Sequence, residues 1–249
     1  MSLITRNGRT VRITHDTQEA LFATLRERLR HRRGFRLATV NLDHMTRIGS
    51  DARFARAYDA MDIVVADGRP IVWLSRLAGR PAQLMPGSDL VVPLARLATD
   101  EGRPIAMIGS TEEALQGAEA YLRAEVPGLV VAYRLAPPMG FDPEGPAAED
   151  ALRDLEASGA GLCYLALGAP KQEMMAVRGA ALAPSVGLAC FGAGLDFLAG
   201  HQRRAPRWMR VLALEWLWRA LEAPRRMVPR YARCFAILPG LAWRAWRAR

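Results

Sequence analysis

The 249-residue sequence predicts an α/β protein built on a mostly parallel sheet with flanking helices. Three observations predict it. Short, almost continuously apolar runs recur at 37–42, 63–66, 105–108, 129–133, 162–167 and 186–191, the pattern of strands covered on both faces. Stretches with helical spacing separate them, clearest at 111–125 and 171–182. Hydrophobic residues make up 51% of the chain. That excludes a disordered polypeptide and suffices for one large domain, or one domain with an appendage.

The elements follow in order. Residues 2–13 alternate around Asn7-Gly8, a strong hairpin signal, and predict an N-terminal β-hairpin. Asp16 with Glu19 three residues later has the form of a capping box, and Leu21, Phe22, Leu25 and Leu29 form one face of the helix it opens. The run at 37–42 contains Thr39-Val40-Asn41, and that at 63–66 is followed by Asp67-Gly68-Arg69-Pro70. Ser88-Asp89 reads as a helix start. The third run leads into Gly109-Ser110-Thr111-Glu112, a loop with a helix cap. The fifth leads into Gly168-Ala169-Pro170-Lys171-Gln172-Glu173 and the sixth into Gly192-Ala193-Gly194-Leu195-Asp196. Prolines at 206, 224, 229 and 239 divide the remaining residues into short segments.

Charge is distributed unevenly. Residues 201–249 hold 12 arginines against Glu215 and Glu222, a net of +10, whereas the whole chain carries +9. The body at 1–200 is therefore close to neutral, and five of the six tryptophans lie beyond it. This predicts a core at 1–200 and a basic, Trp/Arg-rich appendage at 201–249. Cys163, Cys190 and Cys234 are far apart with no CxxC pair, which argues against a disulfide framework or zinc site and suits a reducing compartment. The first 30 residues show no apolar signal-peptide core. No uncharged stretch approaches the ~20 residues that span a bilayer, so a soluble or peripheral protein is expected. His15, His31, His44 and His201 show no metal-ligand spacing and read as surface residues.

In an open parallel sheet ligands bind beyond the carboxyl ends of the strands, where this sequence collects glycines and polar residues. Glycine lets backbone N–H groups approach an anion, and helix N-termini favour negative charge. Taken singly each segment has an ordinary explanation. Asp67 before Gly68 suits a turn, Thr111 a cap, and Lys171, the chain's single lysine, a solvated helix start. Gly192-x-Gly194 lacks the third glycine of a dinucleotide fingerprint.

Together the segments are specific. Thr39-x-Asn41, Ala66-Asp67-Gly68, Gly87-Ser88-Asp89-Leu90, Gly168-Ala169-Pro170-Lys171-Gln172-Glu173, Gly192-x-Gly194-x-Asp196-Phe197, Arg204-Ala205-Pro206-x-Trp208 and Leu214-Glu215-Trp216-Leu217-x-Arg219 stand in an order that resembles the WecG/TagA/CpsF family of bacterial glycosyltransferases, over about residues 36–235. The resemblance implies a Rossmann-like core, a C-terminal membrane-proximal appendage, and inverting transfer from a UDP-sugar onto a polyprenyl-diphosphate-linked sugar. It places the enzyme in the cytoplasm, peripheral on the inner face of the membrane, with no metal cofactor; the arginines and tryptophans interleaved over 206–249 predict contact with an anionic membrane surface, and a homo-oligomer is left open. By the same resemblance Asp67 is the catalytic base. Thr39, Asn41, Gly109, Gly168, Gln172 and Asp196 line the UDP-sugar donor, and Arg219, Arg226 and Arg230 face its diphosphate.

The sequence also departs from the family. Gln83-Leu84-Met85-Pro86-Gly87 lacks the arginine common before the Gly-Ser-Asp block, and Gly140-Phe141 replaces Gly-Tyr. These changes leave the sugar open. Two other classes compete. A pI near 10.4 suggests a nucleic-acid-binding module, but the charge sits at one end and no RRM, KH or helix-turn-helix signature accompanies it. Gly192-x-Gly194 is the one hint of a nicotinamide-dependent oxidoreductase. The resemblance therefore favours a glycosyltransferase without a nucleic-acid partner.

Overall fold

The computed structural model describes residues 2–5, 7–198, 200, 209 and 215–249, apart from the side chains of Glu215, Arg219 and Arg226. The chain opens with a hairpin of β1 (Ser2–Ile4) and β2 (Thr10–Arg12), paired antiparallel with Leu3 opposite Val11. Gly8 takes the positive φ of 77° that its turn requires. Then come α1 (Gln18–Arg30), β3 (Phe35–Val40), α2 (Leu42–Ser50), α3 (Ala52–Asp59), β4 (Ile63–Ala66), α4 (Arg69–Leu77) and α5 (Gly87–Asp100). The second half runs β5 (Ile105–Gly109), α6 (Glu112–Glu125), β6 (Val131–Leu135), α7 (Pro146–Ala157), β7 (Leu162–Ala166), α8 (Lys171–Leu182), β8 (Gly187–Cys190) and α9 (Gly194–Leu198). Two helices close the chain, α10 (Glu215–Glu222) and α11 (Pro224–Arg247).

Six strands form one sheet in the order β4-β3-β8-β7-β5-β6, every pair parallel, so the expected Rossmann-like α/β architecture is present. Successive strand residues point to opposite faces. Leu37, Ile63, Ile105 and Tyr164 enter a core with Leu25 of α1, Leu94 of α5 and Leu115 of α6. Their neighbours Ala38, Val64, Ala106 and Cys163 enter a second core with Met45 of α2, Phe54 of α3 and Met175 of α8. This double burial is why the strands read as unbroken apolar runs. Edge strand β6 is the exception: it begins two residues later than expected and is only partly covered.

Two local expectations change. The cap of α1 is Thr17, whose side chain accepts from the Ala20 N–H at 3.2 Å, so the capping box predicted from Asp16 and Glu19 does not form. The prolines at 229 and 239 do not break the C-terminal segment, because α11 runs through both of them. An interior proline costs a helix about 3 kcal/mol. Here tertiary packing offsets it, since Cys234, Leu241 and Ala245 are buried in the core that the hairpin, α2 and α4 share. The boundary expected near residue 200 falls beside residues 199 and 201–208, outside the described ones.

The connection leaving β5 runs to β6, and the one leaving β7 runs the opposite way to β8. A crevice between oppositely directed crossovers is where open α/β sheets bind ligands.

Candidate active site

Because the sheet is wholly parallel, all six carboxyl ends meet along one edge, and every candidate residue predicted on the core lies at or next to it. At one end of that edge, β3 and β4 pair as far as Val40 opposite Ala66. The chain then parts into Asn41 and Asp67, with the Asp67 N–H donating to the Val40 carbonyl at 2.8 Å. Thr39 is 4% exposed, and its hydroxyl lies 3.4 Å from Oδ2 of Asp67. Asn41 caps α2, its side-chain oxygen accepting from the His44 N–H at 3.1 Å.

His44 belongs under this rim and not on the surface. Its Nδ1 lies 2.8 Å from the Thr39 carbonyl, and Tyr58 Oη approaches the same carbonyl at 2.5 Å and His44 Nδ1 at 2.7 Å. Burial holds the imidazole down at about 4, so it stays neutral at physiological pH. His15 is likewise partly buried, bonded to Thr14 and Thr24. Neither has a metal-ligand spacing, because the partners are threonine side chains for His15 and the Thr39 carbonyl and Tyr58 hydroxyl for His44.

The other end of the edge is built around β5, β7 and β8. Gly109 has φ 122°, and a Cβ there would lie 2.4 Å from the Ala166 carbonyl carbon, so only glycine allows this strand end to approach β7. Ser110 follows at φ 56° and its hydroxyl hydrogen-bonds the Asp196 carboxylate, while Thr111 caps α6 through the Ala114 N–H. Beyond β7, Gly168 has φ 73° and the Ala169–Pro170 peptide is cis. Lys171 is not simply solvated at a helix start; its Nζ donates to the Phe141 carbonyl at 2.7 Å and anchors the loop before α7.

Gln172 and Glu173, expected at the rim, are both buried. Gln172 Nε2 donates to Glu173 Oε1 at 2.9 Å, and Gln172 Oε1 accepts the Gly192 N–H at 3.0 Å. Burial pushes the Glu173 carboxyl up to about 7, opposed by its bond from Gln172, its own backbone N–H and the charge of Arg47.

A chain of polar contacts joins the two ends. Arg47 of α2 donates through Nη1 to the Ala169 carbonyl at 3.0 Å and through Nε to Asp43 at 3.0 Å. Asp43 also takes Arg230 of α11 at 3.1 Å. Arg230 therefore reaches the rim side of α2, two residues from Asn41. Arg219 and Arg226 lie, as side chains, outside the described residues. Sequence reasoning missed Asp43 and Arg47, whose spacing of four is also that of an ordinary helix-surface pair. Among the described residues no group of three or more His, Cys, Asp or Glu side chains gathers as a metal site would, and the three cysteines are free and buried. Nor is any described helix long and apolar enough to cross a membrane.

In open parallel α/β sheets, strand ends that gather polar residues and glycine turns form the usual ligand-binding edge. A model of the glycosyl transferase WecG/TagA/CpsF family matches residues 8–249, nearly the whole chain. The chain belongs to this family and is a glycosyltransferase of cell-surface glycan synthesis, taking a sugar-nucleotide donor and a glycan acceptor.

Proposed function

We propose that the enzyme transfers a sugar, with inversion, from a UDP-sugar to a polyprenyl-diphosphate-linked sugar at the inner membrane face. The observation that carries this reading is Asp67 beside Thr39 at the end of β4, with Asn41 on the neighbouring strand end. In the proposed step Asp67 accepts the proton of the acceptor hydroxyl. The freed oxygen pair forms the new bond to the anomeric carbon, and the bond from that carbon to the diphosphate oxygen breaks, its electrons leaving with UDP. A positioned base contributes typically ~10²–10⁴-fold. Thr39 supports Asp67 with a hydroxyl contact; Asn41, Gly109, Gly168 and Gln172 shape the donor pocket, and Asp196 offers hydrogen-bond acceptors to the nucleoside.

The leaving diphosphate gains charge. Arginine stabilises it with paired, charge-assisted hydrogen bonds, the role we assign to Arg219, Arg226 and Arg230 in place of a resident metal ion. Arg230 already stands over α2 through Asp43.

The membrane reading rests on α11 and its neighbour α4. Trp243 and Trp246 are 57% and 52% exposed, as is Trp73 of α4 at 52%. Such large aromatic surfaces favour the lipid headgroup region, and arginines beside them are each drawn to anionic lipid by about 1 kcal/mol. Arg247 stacks 5.6 Å over the Trp243 ring.

The test has two stages. UDP and a panel of UDP-sugars are screened for a rise in melting temperature, and the binder is then assayed for transfer to a short lipid-diphosphate-sugar. Stabilisation by UDP and transfer that persists in EDTA are expected. Activity lost in EDTA and restored by Mn²⁺ overturns the metal-free step, and stabilisation by another nucleotide alone overturns the donor.

A further inference from the structure

Beneath the rim lies a polar network, buried except for Arg47, that is not explained by a base and a leaving group. Its members come from four elements: Gln172 and Glu173 from α8, Tyr58 from α3, Cys190 from β8, and Arg47 from α2. The centre of it is an amide with one workable orientation. Gln172 presents Oε1 to the Gly192 N–H and Nε2 to Glu173 Oε1. Flipping it would set Nε2 against an N–H, two donors face to face, and Oε1 against a carboxylate, two acceptors face to face. Gly192 lies at φ 53°, and four residues on Asp196 meets Ser110. Among the described residues Glu173 Oε2 has no hydrogen-bond partner, and the residue is fully buried, an expensive arrangement unless the group serves the site.

We propose that Glu173 is a positioning residue of the donor site: its carboxylate locks the Gln172 amide, which holds the Gly192 N–H and so sets the turn that delivers Asp196 to the nucleotide. The inference rests on the donor reading given above. Ionised Glu173 accepts only, and so enforces the working orientation. Protonated Glu173 carries a hydrogen that can be donated to the Gln172 oxygen, which releases the lock. The group changes state near pH 7 because it is buried. Tyr58, Cys190 and Arg47 face it from the elements packed around it. Tyr58 and Cys190 are held well above their ordinary values and stay neutral throughout.

The experiment compares the full-length wild type with Glu173→Gln and Glu173→Leu in three readouts. These are UDP affinity by calorimetry from pH 6 to 8, KM against kcat for the donor, and amide hydrogen exchange over the peptide containing Gly192. In the wild type, UDP affinity should fall as pH drops below about 7. Glu173→Gln is neutral at every pH and, like the protonated acid, carries a donor beside its acceptor, so its UDP affinity should be flat with pH and stay close to the weaker wild-type value at pH 6. Glu173→Leu should raise the donor KM by about tenfold or more, with a smaller change in kcat, and exchange faster at Gly192. A Glu173→Gln protein with the wild-type pH profile, or a folded Glu173→Leu protein with unchanged KM and exchange, overturns the proposal. If Glu173→Leu does not fold, the Glu173→Gln profile decides alone. Faster exchange at Gly192 with no UDP binding by the wild type would instead overturn the donor reading and leave the lock standing.

Discussion

The Thr39 hydroxyl lies 3.4 Å from Oδ2 of Asp67, across two strands whose residues are 28 apart in sequence. The contact exists because β3 and β4 are parallel neighbours in register, Thr39 opposite Val65 and Val40 opposite Ala66. Both side chains therefore leave the sheet at the same edge. The hydroxyl can donate to the carboxylate and orient it at the strand end.

Asp67→Asn keeps the shape of the side chain and removes its basicity. Turnover is expected to fall by ~10²-fold or more, with UDP affinity nearly unchanged. Thr39→Val, which removes only the hydroxyl, should cost less, roughly tenfold. Steady-state kinetics alongside UDP titration checks both, and near-normal turnover in Asp67→Asn would remove the residue from the base role.

Glu173 gives stability a pH dependence whose sign can be worked out. Its folded value is raised from 4.5 to about 7, so between these limits the folded state holds a proton that the unfolded state has lost. Stability must fall as pH rises from about 4.5 to about 7, by a few kcal/mol at most. His44, lowered from 6.5 to about 4, acts oppositely and costs stability as pH falls through that range. Subtracting wild type from Glu173→Gln cancels the His44 contribution. The melting-temperature difference should move in favour of the variant between pH 5 and pH 8; a difference constant with pH would contradict the assignment.

Gly109 and Gly168 both have positive φ, yet they should respond differently. A Cβ at Gly109 meets the Ala166 backbone at 2.4 Å, whereas one at Gly168 meets nothing within 4 Å. Gly168→Ala should cost about 1–2 kcal/mol of backbone strain. Gly109→Ala should cost considerably more, because β5 and β7 must separate. Chemical denaturation of the two variants side by side tests this, and equal losses would refute it.

Deleting the C-terminal segment is a poor test of membrane binding, because α11 supplies Cys234, Leu241 and Ala245 to the core. Trp243→Gln with Trp246→Gln leaves those contacts in place and removes the exposed indoles. Sedimentation with phosphatidylglycerol-rich vesicles should weaken by roughly tenfold, equivalent to about 1.4 kcal/mol, while the melting temperature holds. Undiminished sedimentation would locate the lipid contact elsewhere.

By itself the sequence determined the fold class, the strand positions to within about two residues, and the rim residues Thr39, Asn41, Asp67, Gly109, Gly168 and Asp196. It could do so because those properties are local: strands buried on both faces must be continuously apolar, and strand-end turns need glycines and polar residues where they stand. Tertiary structure decided what depends on partners distant in the chain. Gln172 faces Gly192 instead of standing open at the rim, His44 is buried beneath Thr39, and Arg230 reaches Asp43. It also carried α11 through Pro229 and Pro239. Helix-breaking tendency is a property of the residue, but the packing that overrides it belongs to the surface that α2, α4 and the hairpin build only once the chain has folded.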